Sequence, residues 1–556
     1  MQPSDFHEFG KSHPIIRFEK VPTGDGAILR LDQVRQRIQA DVVRQTLISL
    51  QGQSPDNLLG EALYSERARL RREKPTIFTR GRYNRDRAIW SEIQAGLLKP
   101  VALVDRNQLV RKVLKHYVEE ITGRFSQRVY NFTTNAIPFG MNYLLNAATV
   151  NHLVPWKLNQ SLQSRLQILG EIPHLQRLSQ KGTVLMVPTH QSNIDSILIG
   201  YIIYLMQLPP FAYGAGLNLF SNPVLSFFMG NLGAYTVDRK KNNAIYKETL
   251  KNYSTRMLRE GIHSIFFPGG GRSRSGAIET KVKLGLLGTG LEAMRLNLKE
   301  NVEKPNIYVV PLVMSYHFVL EASSLIEDYL LEAGKGRYLL HGDPSNQFSK
   351  VLNFFWQVFS ANNGITVRVG KPMDIFGNFV DEDGRSIGPN GTTIDPKRWL
   401  MTRGEFHADP QRDHEYTREL GSKIVERFHR ENTAMTSHLV AFAFFETLRS
   451  NYPDADLFKF LRISLAQRSI PYDNFLRSAE IYHQKLMKLA DQGKIFVSDW
   501  LMTTDTKKWV EDGIKNLGIF HGNAVLRVND GEIYTEDMNL LYYYRNRLAG
   551  YGLESR

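Results

Sequence analysis

The amino-acid sequence predicts an α/β domain in the middle of the chain, flanked by a helical N-terminal region and a mainly helical C-terminal region. Two observations carry this. From residue 181 to 371 short apolar runs alternate with stretches of helical periodicity, the rhythm of strands separated by helices. On either side of that segment apolar residues recur at helical spacing instead. At 556 residues the chain exceeds one ordinary domain, and a hydrophobic content of 42% is enough for sizeable cores. The expected partition is 1–180, mainly helical and a candidate for membrane-surface contact; 181–380, α/β; and 381–556, mainly helical with a short β-hairpin.

Residues 1–60 are mixed in pattern, and Met1 to Gly10, with Asp5, His7 and Glu8 and no apolar core, does not read as a secretory leader. Tyr64 to Arg87 is rich in arginine (67, 69, 71, 72, 80, 82, 85 and 87). It suits either a solvated helix face and loop, or a patch that docks on anionic lipid or an acidic carrier protein. Residues 105–180 are expected to be helical, with Val110, Val113, Leu114, Tyr117 and Ile121 on one face. Val129–Trp156 and Ser196–Val237 carry no formal charge. Asn, Thr and Pro residues interrupt the first, and Pro209-Pro210 and glycines the second, so neither supplies the run of about 20 apolar residues that spanning needs. Core packing, or entry of 129–156 or 196–215 into one leaflet, is the expectation.

Within the α/β segment the candidate strands are Val184–Val187, Ser264–Phe267, Ile307–Met314 and Ile365–Val369. Pro311, early in the third, suits an edge strand or a pocket wall. Asp381 to Pro396 reads as a polar, glycine-rich loop. Helices are expected over Ser437–Leu448, Asp456–Ala466 and Tyr472–Gln492. Asn529-Asp530-Gly531, between Ala524–Val528 and Glu532–Thr535, signals a hairpin, and a helix through Leu540, Leu541 and Tyr544 closes the chain.

The first strand leads into His190-Gln191-Ser192-Asn193-Ile194-Asp195. Five residues on an ideal helix turn by about 500°, so two helical side chains at this spacing would not share a face. The spacing works with His190 in the strand-to-helix turn and Asp195 in the first helical turn, Asn193 capping the helix. Asp195 then accepts a hydrogen bond from one imidazole nitrogen and leaves the other as a proton acceptor, the geometry of an oriented general base. His-x4-Asp alone is a weak signal and by itself favours a satisfied structural histidine slightly.

Its company strengthens it. Ile265-Phe266-Phe267-Pro268-Gly269-Gly270-Gly271-Arg272-Ser273-Arg274-Ser275-Gly276 runs from a strand into a glycine-rich loop. Glycines let backbone N–H groups converge on an anion. Arg272 and Arg274 can add charge-assisted bonds to phosphate oxygens, each worth roughly 1.5–3 kcal/mol. No Gly-Lys-Ser/Thr follows, so the loop is not a Walker P-loop; Ser275 stands where a nucleophile elbow needs its last glycine. Two further blocks are Gly214-Ala215-Gly216-Leu217-Asn218-Leu219 leading to Gly233–Arg239, and Val309–Tyr316 with its proline.

In this order and spacing the four blocks resemble the glycerolipid acyltransferase superfamily. Gly-Gly-Arg-Ser-Arg-Ser-Gly with Gly-Ala-Gly-x-Asn-Leu before it is more similar to the bacterial glycerol-3-phosphate 1-O-acyltransferases than to the lysophosphatidate enzymes. The resemblance is specific over about 184–320 and looser through Val367–Pro372 to Leu541–Asn546. It implies an acyltransferase domain built on a mixed sheet flanked by helices. It further implies transfer of a fatty acyl group from acyl-CoA or acyl-carrier protein to glycerol 3-phosphate, the first step of phospholipid synthesis, without a cofactor or metal. A location on the cytoplasmic side of the membrane, peripheral or inserted in one monolayer, follows from the same likeness. Position by position, it makes His190 the base and Asp195 its partner. Arg239, Arg272 and Ser273 fall where the phosphate acceptor is met, and Gly270, Gly271 and Arg274 complete the loop's substrate-binding set. Lys283 is a looser match, and Pro311 matches the last block. Two positions depart from the pattern: Gly269 stands where the family usually has Glu, and Asp238 where it often has a basic residue. This leaves open another phosphorylated or lysolipid acceptor, or a non-catalytic lipid-binding relative, which Gly269 favours.

The composition sets outer bounds. With no cysteine the chain has no disulfide, thiolate metal site or cysteine nucleophile. A net charge of +14 calls for acidic partners, which the thioester carriers, a phosphorylated acceptor and an anionic membrane surface all are. No helix-turn-helix, zinc knuckle or aromatic-rich RNA motif is present, so nucleic acid is not expected. His407, Asp409, Asp413 and His414 have ligand-like types, but with Pro410 among them they read as a solvated loop.

Overall fold

A computed structural model of the chain describes residues 26–77, 79–100, 105–134, 166–217, 223–333, 364–518, 521 and 523–554. Its centre is a sheet of seven strands: β1 (Leu166–Gly170), β2 (Thr183–Pro188), β3 (Ala212–Gly216), β4 (Ala234–Val237), β5 (Ser264–Ile265), β6 (Ile307–Tyr316) and β7 (Ile365–Val369). They lie in the order β1-β7-β6-β2-β5-β3-β4. β7 runs antiparallel to β6 and every other neighbouring pair is parallel, so the sheet is mixed, as expected. β2 and β6 are buried along their whole length, which is why they read as unbroken apolar runs.

All four expected strands are present, and three others join them. β1 lies in the stretch expected to be helical; its ladder with β7 decides the matter, since pairing overrides a weak local preference. Pro311 is not on an edge, because β6 sits between β7 and β2. The proline falls opposite Gly370, one residue past the end of β7, and Gly370 N donates to its carbonyl at 2.8 Å. Its missing N–H therefore lies where the ladder is already ending.

Helices α1 (Leu31–Ser49), α2 (Pro55–Arg72), α3 (Arg80–Leu97) and α4 (Arg106–Ile121) form the N-terminal layer. The chain then supplies α5 (Ile172–Lys181), α6 (Asp195–Leu205), α7 (Ala244–Arg259), α8 (Leu284–Lys299), α9 (Ala322–Ala333), α10 (Pro410–Arg430), α11 (Thr436–Arg449) and α12 (Met538–Arg545). The N-terminal layer shares a core with α7, built on Trp90, Tyr117, Tyr246 and Tyr253. The arginine-rich stretch divides there. Arg69 is buried and paired with Glu66, Glu73 and Asp86 at 2.7, 2.6 and 2.5 Å, while Arg67, Arg71, Arg72, Arg80, Arg85 and Arg87 are exposed.

α11 is buried from Thr436 through Glu446, and its side chains join those of the sheet in one continuous core that includes Met186, Met314, Leu439, Phe442 and Tyr543. A helix apolar all round belongs inside a protein. The expected hairpin is present, Arg527–Asn529 against Glu532–Tyr534, with Asp530 and Gly531 both at positive φ as its two-residue turn requires. Ser469–Pro471 adds a third strand to it. Asp381–Pro396 is more than a loop: Ser386–Ile387 pairs with Phe379–Val380 and Thr393–Ile394. The helix expected at 456–466 is reduced to Leu457–Phe460 and a 3-10 turn at Leu465–Gln467. Around His407, helix structure begins sooner than expected. Asp409 caps α10 by accepting Gln411 and Arg412 N–H groups at 3.1 Å, and Asp413 pairs with Arg412 at 2.8 Å.

Residues 196–215 form all but the first residue of the eleven-residue α6 and most of β3 rather than a spanning segment. Among the described residues no helix is long and apolar enough to cross a membrane. Met1–Gly10, most of 129–156, and Asn218 and Leu219 lie outside the described residues.

Candidate active site

Parallel strands put their carboxyl ends on one edge of a sheet, and the connections leaving that edge form its natural binding crevice. His190 follows β2 by two residues and Arg239 follows β4 by two; the glycine loop leaves β5, and Tyr316 ends β6. Because β2 pairs with both β5 and β6, His190 is flanked by the loop on one side and Tyr316 on the other.

Asp195 is fully buried at the start of α6 and curls back onto the turn. Its Oδ2 accepts from His190 Nδ1 at 2.8 Å and from Gln191 N and Ser192 N at 2.7 and 3.0 Å. Its Oδ1 accepts the Tyr316 hydroxyl at 2.6 Å. Asn193 does not cap the helix; Ile194 holds the N-cap position, and Asn193 N donates to Glu321 Oε1 at 3.0 Å. With Nδ1 committed, Nε2 is the ring nitrogen left to exchange protons, on a side chain that keeps 15% exposure. The ring lies on Phe267, centroids 4.1 Å apart and planes at 24°.

The main chain of His190 is held from both ends of the glycine loop. Its carbonyl accepts Ser273 N at 2.7 Å, and its N–H donates to Glu279 Oε1 at 2.9 Å. Gly270 takes φ +73°, a conformation glycine adopts without strain, and its N–H is spent on Phe267 O at 3.0 Å. At Gly276 a side chain would begin 2.1 Å from the Tyr543 carbonyl, so α12 packs directly on the loop. Asn546 Nδ2 adds a 2.9 Å bond to Ser275 O.

Three cations gather at Gly269–Gly271. Arg239 Nη1 lies 3.5 Å from where a Gly271 side chain would start, and the stem of Lys283 rests 3.0 Å from the equivalent point at Gly270. Burial, then repulsion from Arg272, pushes the Arg239 guanidinium below its ordinary value. Arg272 is tethered to Glu321 at 3.4 Å, and Glu321 also accepts from Ser192 Oγ at 2.9 Å. Among the described residues no carboxylate pairs with Arg239 or Lys283. A crowded set of positive groups beside converging backbone is a site for an anion.

The remaining expected residues are placed differently. Arg274 turns outward to Glu332 at 2.5 Å, and the Ser273 hydroxyl donates to Ala277 O at 2.6 Å, bracing the loop. Pro311 lies buried inside the sheet, within β6. Asp238 points inward and accepts Lys240 N at 2.9 Å, leaving the crevice to Arg239. Tyr316, Glu279, Glu321, Phe267 and Arg547 were not expected at the site. Arg547 is buried, donates to Met314 O and Asn432 Oδ1 at 2.8 Å each, and sits in the field of Glu279 and Asp195. A separate group, Asp86, His116 and Glu120, has metal-ligand types, but Lys241 pairs with Glu120 and Arg69 with Asp86, so protein cations already balance it.

Residues 171–315 match the family model described as Acyltransferase. The chain is similar to the glycerol-3-phosphate acyltransferase of Pseudomonas fluorescens (strain Pf0-1), 24% identical over 364 residues, 64% of this chain and 37% of that protein. It is similar also to the glycerol-3-phosphate acyltransferase of Pseudomonas aeruginosa (strain UCBPP-PA14), 26% identical over 366 residues, with the same coverage of 64% and 37%. The chain thus spans 37% of the length of these curated relatives. Among solved structures it is similar to the 1-acyl-sn-glycerophosphate (LPA) acyltransferase from Thermotoga maritima, at 14% identity and a TM-score of 0.23, covering 54% of this chain and 92% of that one.

Proposed function

We propose that this protein, whose residues 171–315 match the Acyltransferase family model, moves a fatty acyl group from a thioester, acyl-CoA or acyl-carrier protein, to glycerol 3-phosphate. The observation that carries the reading is the meeting, at one sheet edge, of an oriented imidazole with cations, around a glycine loop, that have no carboxylate partner among the described residues.

His190 Nε2 takes the proton of the acceptor hydroxyl as that oxygen attacks the thioester carbonyl. The tetrahedral intermediate then expels the thiolate, and the imidazolium returns its proton to the sulfur, so the products are the ester and the free thiol. Asp195 fixes the ring and balances the imidazolium. General-base help of this kind contributes roughly 10²–10⁴-fold. Arg239, Arg272 and Lys283 hold the acceptor phosphate, and the N–H groups at Gly269 and Gly271, which have no acceptor among the described residues, are the donors to the oxyanion, Gly270 being already committed.

The surface for an anionic membrane is the tip joining α2 and α3. Tyr64, Arg67 and Arg71 form one stripe on α2; beyond them Arg72, Lys74 and Arg80, all exposed, flank Ile77 along the chain, and Ile77 is 83% exposed. An exposed apolar side chain between cations that have no carboxylate partner among the described residues suits a lipid surface better than bulk water.

The test is incubation with acyl-CoA or acyl-carrier protein and a panel of acceptors, with His190→Ala alongside. Glycerol 3-phosphate is acylated by the native chain and at least 100-fold more slowly by the variant. Equal rates would remove the mechanism; turnover of another phosphorylated or lysolipid acceptor alone would replace the substrate; no turnover at all would leave the non-catalytic relative.

A further inference from the structure

The carboxylate of Glu279 touches two parts of the site at once. It accepts the His190 main-chain N–H at 2.9 Å, and it occupies the space over Gly269, where a side chain would start 3.0 Å from Glu279 Cγ and 3.3 Å from Oε1. Gly269 is not at positive φ, so it is room rather than backbone conformation that calls for glycine there. The chain makes this contact possible by closing on itself, Lys283 N donating to Pro268 O at 2.7 Å, which brings the segment after Gly276 back over the start of the loop. The charge is set among countercharges: His190 itself and the buried Arg547 both act on Glu279, while burial pushes its carboxyl upward.

We propose that Glu279 is the positioning residue of the His190–Asp195 pair, supplying from ten residues further along the carboxylate for which the loop leaves room at Gly269. It fixes the His190 backbone, and with it the ring, against the same loop that carries Arg272. Its negative charge also faces the imidazolium formed in the reaction. The glycine at 269 is then one half of an exchange of positions, and its support for a non-catalytic relative disappears. The catalytic part of this proposal rests on the acyl-transfer reading; the backbone contact does not.

The test uses the full chain and two readouts, amide hydrogen exchange in a peptide containing His190 and steady-state kinetics. Glu279→Ala speeds exchange of the His190 amide at least tenfold and lowers kcat at least tenfold, with KM for the acceptor within threefold. Glu279→Gln keeps an acceptor oxygen, so exchange stays as in the native chain, while loss of the charge moves the acid limb of the pH–rate profile to lower pH. Gly269→Glu alone lowers kcat at least tenfold, because two carboxylates contend for one volume; placed on Glu279→Ala it raises kcat at least fivefold. Unchanged exchange in Glu279→Ala, or an equal loss from Gly269→Glu in both backgrounds, overturns the proposal. If Glu279→Ala fails to fold, Glu279→Gln and the double variant decide on the pH limb and on kcat. A native chain that turns over no acceptor defeats the acyl-transfer reading, and the exchange measurement still decides the contact.

Discussion

Asp195→Asn separates the shape of the His190–Asp195 pair from its charge. Among the described residues Oδ2 takes three donors and Oδ1 takes the Tyr316 hydroxyl alone. An asparagine keeps the first set by placing its carbonyl oxygen where Oδ2 was. Its amide nitrogen then faces a tyrosine hydroxyl, which can rotate to accept. The imidazole keeps its tautomer and position, and what is lost is the countercharge to the imidazolium. Charges about 4 Å apart attract by about 4 kcal/mol at an effective dielectric of about 20, and each 1.4 kcal/mol is tenfold, so kcat should fall by roughly 10²–10³. KM for both substrates stays within a few-fold. Tyr316→Phe removes one hydrogen bond to a charged oxygen, worth roughly 1.5–3 kcal/mol, and in the Asp195→Asn background its effect shrinks to that of a neutral bond, about 1 kcal/mol. The assay is initial-rate kinetics of all three variants beside thermal unfolding. A kcat within threefold of native for Asp195→Asn would refute transition-state stabilisation by the carboxylate, and additive losses in the double variant would show that Tyr316 acts elsewhere.

Other consequences are as direct. Arg239→Ala removes a cation with no carboxylate partner among the described residues, so it raises KM for the phosphorylated acceptor by about 10- to 100-fold, the value of one charged hydrogen bond, and leaves unfolding unchanged; an unaltered KM would place the phosphate elsewhere. His263 is buried, accepts Val184 N at 3.0 Å, and burial pushes it down to about 4. Its unfolded value lies higher, at about 6.5, so the unfolded chain takes the proton first: this stability is complete above about pH 6.5 and is lost towards pH 4, at about 1.4 kcal/mol per unit. His263→Leu should be less stable than native in urea at pH 7.5 by about 1–3 kcal/mol and closer to it at pH 5; an equal gap at both would refute the assignment. Replacing Arg71, Arg72, Lys74 and Arg80 by alanine should abolish sedimentation with anionic vesicles while sparing acylation of a soluble acceptor, and unchanged binding would move the membrane surface away from the α2–α3 tip.

What was legible in the sequence is what is local in it. His190 and Asp195 are five apart, and the loop's glycines and arginines are contiguous, so their spacing alone prescribes a turn and an anion cradle. The fully buried strands β2 and β6 announced themselves as apolar runs. The residues that went unseen act across long separations: Tyr316 reaches Asp195 over 121 residues, Glu279 reaches His190 over 89, and Glu321 reaches Asn193 over 128. Nothing in the neighbourhood of Glu279 marks it except an acidic side chain in a basic segment. β1 was hidden for a related reason, since its five residues become a strand only against β7, two hundred positions away. Pro311 misled because the rule it follows concerns a missing N–H, and the place where that N–H would point depends on where β7 stops.

The same separations bear on how much of the chain builds the candidate site. The family match ends at 315, yet the site does not. Tyr316, one residue on, carries Asp195, and its carbonyl accepts His438 Nε2 at 2.9 Å from the first turn of α11. α12 presses its backbone on Gly276, and Asn546 in the 3-10 turn just after it bonds Ser275 O, so one wall of the glycine loop is made by the C-terminal region. Arg547 inserts a buried charge behind Glu279 and ties Met314 to Asn432. These contacts are polar groups embedded in a core that the sheet and the C-terminal helices share. Removing the C-terminal region would therefore uncover apolar surface and unpair charges at the candidate site in one stroke, which makes residues 381–556 part of that site's construction rather than an appendage to it.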